Sequence, residues 1–387
     1  MKPRLAVFLT SLLTLLLAAC AASSAATPPP AATPAPPTPL AAPSATPRAS
    51  TPSPSPTPSP APTPTPSVTP LPRTTLLFVG NIVPARCVRA AADRRGDDHY
   101  IYAEVAPLIR QADYAVALLN ASLSDVGLVT GCRATYVLTG APRHAQTLKW
   151  AGFDLVNVGT NHIRNCGWVG CGYRAFLETL QNLHQAGLAT VGGGENLEAA
   201  LQPAVATLNG VRFAFVSLNQ LGFSWADEDT PGTAPLTPEN AARAIALARQ
   251  QADVVIALPH WGPEYDFTPN YLQRRAARWL VAAGADVVVG NHSHVVQGMQ
   301  ILGGVPVFYS LGNFVFDQTW DEKNQQGAML TLTFEGTHMV SYGYTPTHVD
   351  GDGTVHLAPP AEAAIIMAHI RAGSLPDEPL PSPTPTP

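Results

Sequence analysis

Between residues 73 and 372 the chain alternates two kinds of apolar pattern. Short continuous apolar runs of strand length occupy 75–79, 114–119, 153–158, 253–258 and 286–290, with further runs at 212–218, 305–309 and 329–334. Between them lie stretches at 102–110, 143–151, 172–186, 238–251 and 268–283, whose apolar residues recur at helical spacing. In the last of these, Ala276, Ala277, Leu280 and Val281 fall on one face and Arg274, Arg275 and Arg278 mostly outside it. Gly152 and Gly284 each close a helical stretch and are followed within two residues by Asp and a strand-like run. Strands alternating with helices predict a layered α/β fold.

Five of the strand-like runs lead into polar signatures. Gly80-Asn81 closes the first and Asn120 the second. Asn161-His162 follows the third, and His260-Trp261-Gly262 the fourth. Asn291-His292-Ser293-His294 follows the fifth. Strand ends are where α/β sheets gather ligands. Four histidines and several asparagines so placed point to a metal or phosphate site. The carboxylates that usually neutralise such metals are missing from these positions. The nearest outside them are Glu264 and Asp317.

The ends of the chain lie outside this pattern. Residues 1–20 read as a lipoprotein leader: Lys2 and Arg4, an apolar run from Leu5 to Ala19, then Leu17-Ala18-Ala19-Cys20 as a cleavage and lipidation site. This predicts an extracytoplasmic protein held to a bacterial cell membrane through lipidated Cys20. Residues 21–72 are low-complexity Pro, Thr, Ser and Ala, with no apolar periodicity and so no core. Extended at about 3.1 Å per residue, they would make a stalk of up to roughly 160 Å. Residues 373–387 repeat the composition and are expected to be a disordered tail. A net charge of −5 gives no nucleic-acid footprint. Besides Cys20 there are four cysteines, an even number that suits disulfides in an exported chain. A flexible Gly-Trp-Val-Gly loop separates Cys166 from Cys171, which favours that pair and leaves Cys87 with Cys132. The alternative is a four-cysteine zinc site, although no Cys-x-x-Cys pair is present.

From about Leu76 to Gln318 the motifs, taken in order, resemble the CapA family of poly-γ-glutamate capsule biosynthesis, within the calcineurin-like metallophosphoesterase superfamily. Gly80-Asn81 through Arg86 is similar to the family's Gly-Asp-x-x-x-x-Arg opening. The segment ending at Asn120 is similar to its Asn-Leu-Glu strand end, Asn161-His162 to its Asn-Asn-His motif, and His260-Trp261-Gly262 to its His-Trp-Gly. His292-Ser293-His294 is similar to its His-Pro-His, and Tyr309-Ser310-Leu311-Gly312-Asn313-Phe314 is nearly its signature verbatim. The resemblance implies an α-β-β-α sandwich with two divalent metals between its sheets. Asn81, Asn120, Asn161, His260, His292 and His294 would stand at the metal positions. His162 would stand beside the substrate, with Arg86 as an anion contact.

The departures fall on the acids. Asn81 replaces the opening Asp, Asn120 the bridging Glu, and Asn165 a further Asp. Two cations a few ångströms apart repel strongly without an anion between them. The expectation is therefore at most one divalent metal (Mn, Fe or Zn), on neutral imidazoles and an amide oxygen. Three functions remain open. One is a lipid-anchored capsule or surface-polymer hydrolase or transferase. The second is a non-catalytic relative that binds an anionic surface polymer, and the third a stalked adhesion protein.

Overall fold

The computed structural model describes residues 71–127, 130–164 and 173–380. Cys20, Asn165, Cys166 and Cys171 lie outside them, so the leader, the stalk and the expected Cys166–Cys171 bond are not part of the description. Two sheets stack face to face. The first has eight strands, in the order Val355–Leu357, His338–Val349, Gln326–Glu335, Arg73–Ile82, Tyr114–Leu119, Leu155–Asn157 and Ala189–Val191, with Asn313–Val315 paired to the far end of Arg73–Ile82. The second has six: Met299–Leu302, Val305–Phe308, Val287–Val289, Val254–His260, Val211–Asn219 and Ala204–Leu208.

The continuous apolar runs follow from burial on both faces, which removes the need for alternating polar residues. Successive side chains are instead divided between two cores. In Arg73–Ile82, Leu76 and Phe78 face the second sheet, whereas Leu77 and Val79 face helices. In Val211–Asn219, Phe213 and Phe215 point between the sheets, and Ala214, Val216 and Leu218 point away. The inter-sheet core is aromatic, with Phe213 meeting Phe334 edge-on at 5.1 Å between centroids. Cys87–Arg95, His144–Ala151 and Arg174–Gln185 cover the first sheet, and Pro238–Arg249 and Tyr271–Ala283 the second. This is the α-β-β-α sandwich.

Local chemistry sets the helix ends. Asn270 and Gln273 form a reciprocal capping box at Tyr271–Ala283. Thr237 caps Pro238–Arg249, whose Pro occupies the first turn, where its missing N–H costs nothing. Gly152 and Gly284 end their helices in the left-handed region, at φ 111° and 107°.

Three expectations need correction. The single helix expected over 102–110 is a 3-10 turn, His99–Tyr102, and a short helix, Ala106–Ile109, with Pro107 in its first turn. Helix Pro360–Gly373 and strand His338–Val349 are additional elements. The expected tail is ordered as far as residue 380. Leu375 and Glu378 donate backbone N–H groups to the Met299 and Ile301 carbonyls, and Arg278 pairs with Glu378 at 2.7 Å. These bonds offset the loss of chain entropy on ordering, which a Pro/Ser/Thr composition alone would leave unopposed.

Candidate functional site

The strand ends converge on one edge of the sandwich. Asn81 lies near the end of Arg73–Ile82, and Asn120 directly follows Tyr114–Leu119. His260 ends Val254–His260, and His292 and His294 follow Val287–Val289. All five are buried to 3 % exposure or less. Isolated parallel bridging of His260 with Asn291 brings the two histidine segments side by side. Five non-glycine residues have positive φ among those described, and four of them are here: Arg86, Tyr265, His292 and His294. Backbone in this region costs on the order of 1–3 kcal/mol per residue and persists only where its surroundings over-determine it.

The side chains meet closely. His260 Nε2 lies 2.9 Å from Asn161 Oδ1 and 3.2 Å from His292 Nδ1. His294 Nδ1 donates to Asn313 Oδ1 at 2.8 Å, and His294 Nε2 is 4.0 Å from Glu264 Oε1. Asn120 Oδ1 accepts the His162 backbone N–H at 3.2 Å. Asn81 Nδ2 points to the Gly312 carbonyl at 3.3 Å and to Asn313 Oδ1 at 3.4 Å. Of the buried side-chain atoms without a hydrogen-bond partner among the described residues, three belong to the predicted site residues: Asn81 Oδ1, Asn120 Nδ2 and His260 Nδ1.

Burial keeps the imidazoles neutral. It holds His260 and His292 well below the ordinary value of 6.5, helped by the neighbouring histidines. It lowers His294 too, against the pull of Glu264 and Asn313. His162 is brought down to about 4 by burial, His294 and Arg86. A group with a depressed folded pKa binds its proton more readily unfolded. Stability is therefore full above about 6.5 and falls as pH drops toward 4. His162 alone accounts for about 3 kcal/mol over that window. Denaturant unfolding in chelator at pH 7.5 and 4.5 is expected to show at least this loss, and a His162→Asn variant a smaller one. A flat profile would contradict the neutral cluster.

Above the histidines opens a cleft of about 730 Å³, whose lining includes Arg86, Tyr136, His162, Glu264, Tyr265 and Trp320. A wider groove of about 1070 Å³ runs along Arg174–Gln185, but His184 is its sole histidine and it gathers none of the motif residues. The cleft is therefore the better candidate. Arg86 is not an unengaged anion contact. Its Nε donates to both Asp317 oxygens at 3.0 and 3.1 Å, its Nη2 also contacts Asp317, and Nη1 donates to the Thr135 carbonyl at 3.2 Å. Asp317 also accepts the Cys87 N–H at 3.1 Å. Cys87 and Cys132 are disulfide-bonded, which ties the 131–138 segment to the Arg86 wall.

Residues 75–318 match the family described as "Bacterial capsule synthesis protein PGA_cap". The chain belongs to this family. It is 34 % identical over 286 residues to "PGA biosynthesis protein CapA" of Bacillus subtilis (strain 168), covering 71 % of this chain and 73 % of the relative. It is 31 % identical over 256 residues to "Capsule biosynthesis protein CapA" of Bacillus anthracis, covering 64 % and 61 %. A distant solved likeness is a putative 5′-nucleotidase from Staphylococcus aureus in complex with alpha-ketoglutarate, at 13 % identity and TM-score 0.46, over 78 % of this chain and 58 % of that one.

The donor set of this capsule-synthesis chain fits one metal ion better than two. Donors on a tetrahedral ion with bonds of 2.0–2.1 Å sit about 3.3 Å apart. The Asn161–His260–His292 spacings of 2.9 and 3.2 Å are close to that. Glu264, His292 and His294 form a second grouping, with ligand atoms within 4.8 Å of one another. His292 belongs to both, and no carboxylate bridges them among the described residues. The motifs had left Glu264 outside the ligand set. Its signal was its place two residues after Gly262, where a turn with Tyr265 at φ 65° carries the chain back to Ser293. Read as three consecutive residues, Asn-Leu-Glu falls on Asn120-Ala121-Ser122. That puts Ser122 at the glutamate position, where its hydroxyl donates to the Ile163 carbonyl at 2.7 Å.

Proposed function

We propose that this chain is a membrane-anchored, extracytoplasmic capsule-synthesis protein that handles a poly-γ-glutamate-type polymer in the cleft, using one divalent metal held by the histidine cluster. The convergence of neutral His292 and His294 with Glu264, and of His260 with His292, carries the reading, because neutral imidazoles and a carboxylate are transition-metal ligands. The charge of the cleft supports metal over a bare binding surface. Arg86 is the one basic residue other than histidine in its described lining, and Asp317 neutralises it. Without a cation the cleft is neutral to acidic and repels a polyanion. When bound, a metal supplies positive charge and a polarised water or carbonyl. Neutral His162 offers a ring nitrogen to a proton at the cleft wall, and the Arg86–Asp317 pair holds that wall in place. A non-catalytic polymer binder is the second reading, favoured by uncharged side chains, Asn81 and Ser122, standing where acids are expected.

One experiment separates these. Cys20→Ala is expected to move the chain from the membrane fraction to the medium. The released protein is then analysed for metal and assayed on poly-γ-glutamate and a generic phosphodiester, with and without chelator. About one metal per chain and chelator-sensitive turnover support the proposal. Membrane retention overturns the anchor. Polymer binding without metal establishes the second reading, and two tightly held metals overturn the ligand argument.

A further inference from the structure

The outer part of the cleft is built unlike its floor. Tyr136 is 80 % exposed and Trp320 62 % exposed, and both line the same opening. Large aromatics gathered at one concave surface mark a contact site, since each costs free energy while it faces water. Tyr265 stands between this mouth and the histidines. Its ring stacks near His294, with centroids 6.0 Å apart and planes at 29°, and it meets Trp320 edge-on at 6.5 Å. It is held there by its backbone N–H, which donates to the Ser293 carbonyl at 2.7 Å, and by Gln318 Nε2, which donates to its hydroxyl at 3.2 Å. A tyrosine fixed at φ 65° is strained backbone kept in one position.

The mouth offers aromatic faces and the partly exposed Glu264 carboxylate, while the buried Gln318 amide is taken up by Tyr265 and Asn313. Among its described lining residues the one guanidinium, Arg86, is already engaged by Asp317. A polymer with a carboxylate on every residue finds no free cation here. A pyranose ring suits the surface. Its C–H faces can lie on aromatic rings, while its hydroxyl and acetamido N–H groups can donate to the carboxylate.

We propose that Tyr136, Tyr265 and Trp320 form a sugar-ring subsite, which takes a neutral or N-acetylated glycan at the mouth while the anionic polymer occupies the metal end. The proposal rests on the reading of the cleft as the working site. It makes the glycan a second ligand of that site, the class of molecule to which a surface polymer would be joined or from which it would be released.

The test is calorimetric titration of the full chain with N-acetylglucosamine oligomers in EDTA, beside a short poly-γ-glutamate. Saturable glycan binding is expected. Trp320→Ala and Tyr136→Ala should each weaken it about tenfold, and Trp320→Phe should keep most of it. Both side chains are largely exposed, so the variants are expected to fold. Absence of saturable glycan binding, or binding indifferent to both alanine changes, overturns the proposal. So does poly-γ-glutamate binding in EDTA that the same changes abolish, which would assign the aromatics to amide planes. EDTA removes the metal, so failure of the metal reading leaves this result untouched, and failure here leaves metal content unchanged.

Discussion

Asn120→Asp is expected to tighten divalent-metal binding by about tenfold or more, and to make the domain's stability depend on metal. The substitution is isosteric. The oxygen that accepts the His162 N–H is retained, and the partnerless Nδ2 becomes a second oxygen. A neutral group beside a cluster of neutral imidazoles thereby becomes an anion. Without metal that anion is buried and unpaired, at a cost of roughly 3 kcal/mol. With metal the charge is compensated. The expected result is a lower Tm in chelator and a large recovery on adding Mn²⁺ or Zn²⁺. Asn81→Asp is the control. Asn81 donates its amide toward the Gly312 carbonyl and Asn313 Oδ1, both acceptors, so a carboxylate there faces two oxygens. It is expected to destabilise with or without metal. If Asn120→Asp binds metal no more tightly than wild type, the asparagine is not part of the ligand field.

Arg86→Ala is expected to lower unfolding free energy by about 3–5 kcal/mol, the loss typical of removing one partner from a buried ion pair. Asp317 is 5 % exposed and would keep only the Cys87 N–H. The guanidinium also lies over the Phe316 ring, 4.8 Å from its centroid, so packing is lost with charge. Lysine cannot make the forked contact, and Arg86→Lys should recover only part of the loss. The double change Arg86→Met with Asp317→Asn should recover most of it, since it removes the stranded charge. Denaturant unfolding of these proteins, with Arg86→Met and Asp317→Asn alone to close the cycle, gives the coupling directly. A loss under about 1 kcal/mol for Arg86→Ala would mean that the pair is solvated.

The layering was legible because burial on both faces leaves an unmistakable trace: uninterrupted apolar runs such as 254–258 and 287–289, with polar residues gathered where each run stops. Strand His338–Val349 left no such trace. Much of it is half-exposed, and it carries Tyr, Thr, Ser and His rather than a buried run. Helix Cys87–Arg95 was hidden by arginines, because its buried side is mostly alanine. At the site, residue identity indicated which positions gather but not how they are wired. Asp317 lies 231 residues from Arg86, and no local spacing links them. Glu264 approaches His294 through a left-handed turn that depends on tertiary contacts. The partnerless atoms of Asn81 and Asn120 exist only in three dimensions.

The segment after helix Pro360–Gly373 bears on what becomes of an edge of the second sheet. Met299–Leu302 is the outermost strand of the second sheet, and an uncovered strand edge is a template for pairing with another chain. Backbone bonds from Leu375 and Glu378, and from Gly303 back to the Glu378 carbonyl, occupy that edge. A fragment stopped at residue 372 would leave it bare and prone to edge-to-edge self-association, however intact its histidines. Eight residues of proline-punctuated sequence thus act as a guard against aggregation, a role their composition conceals.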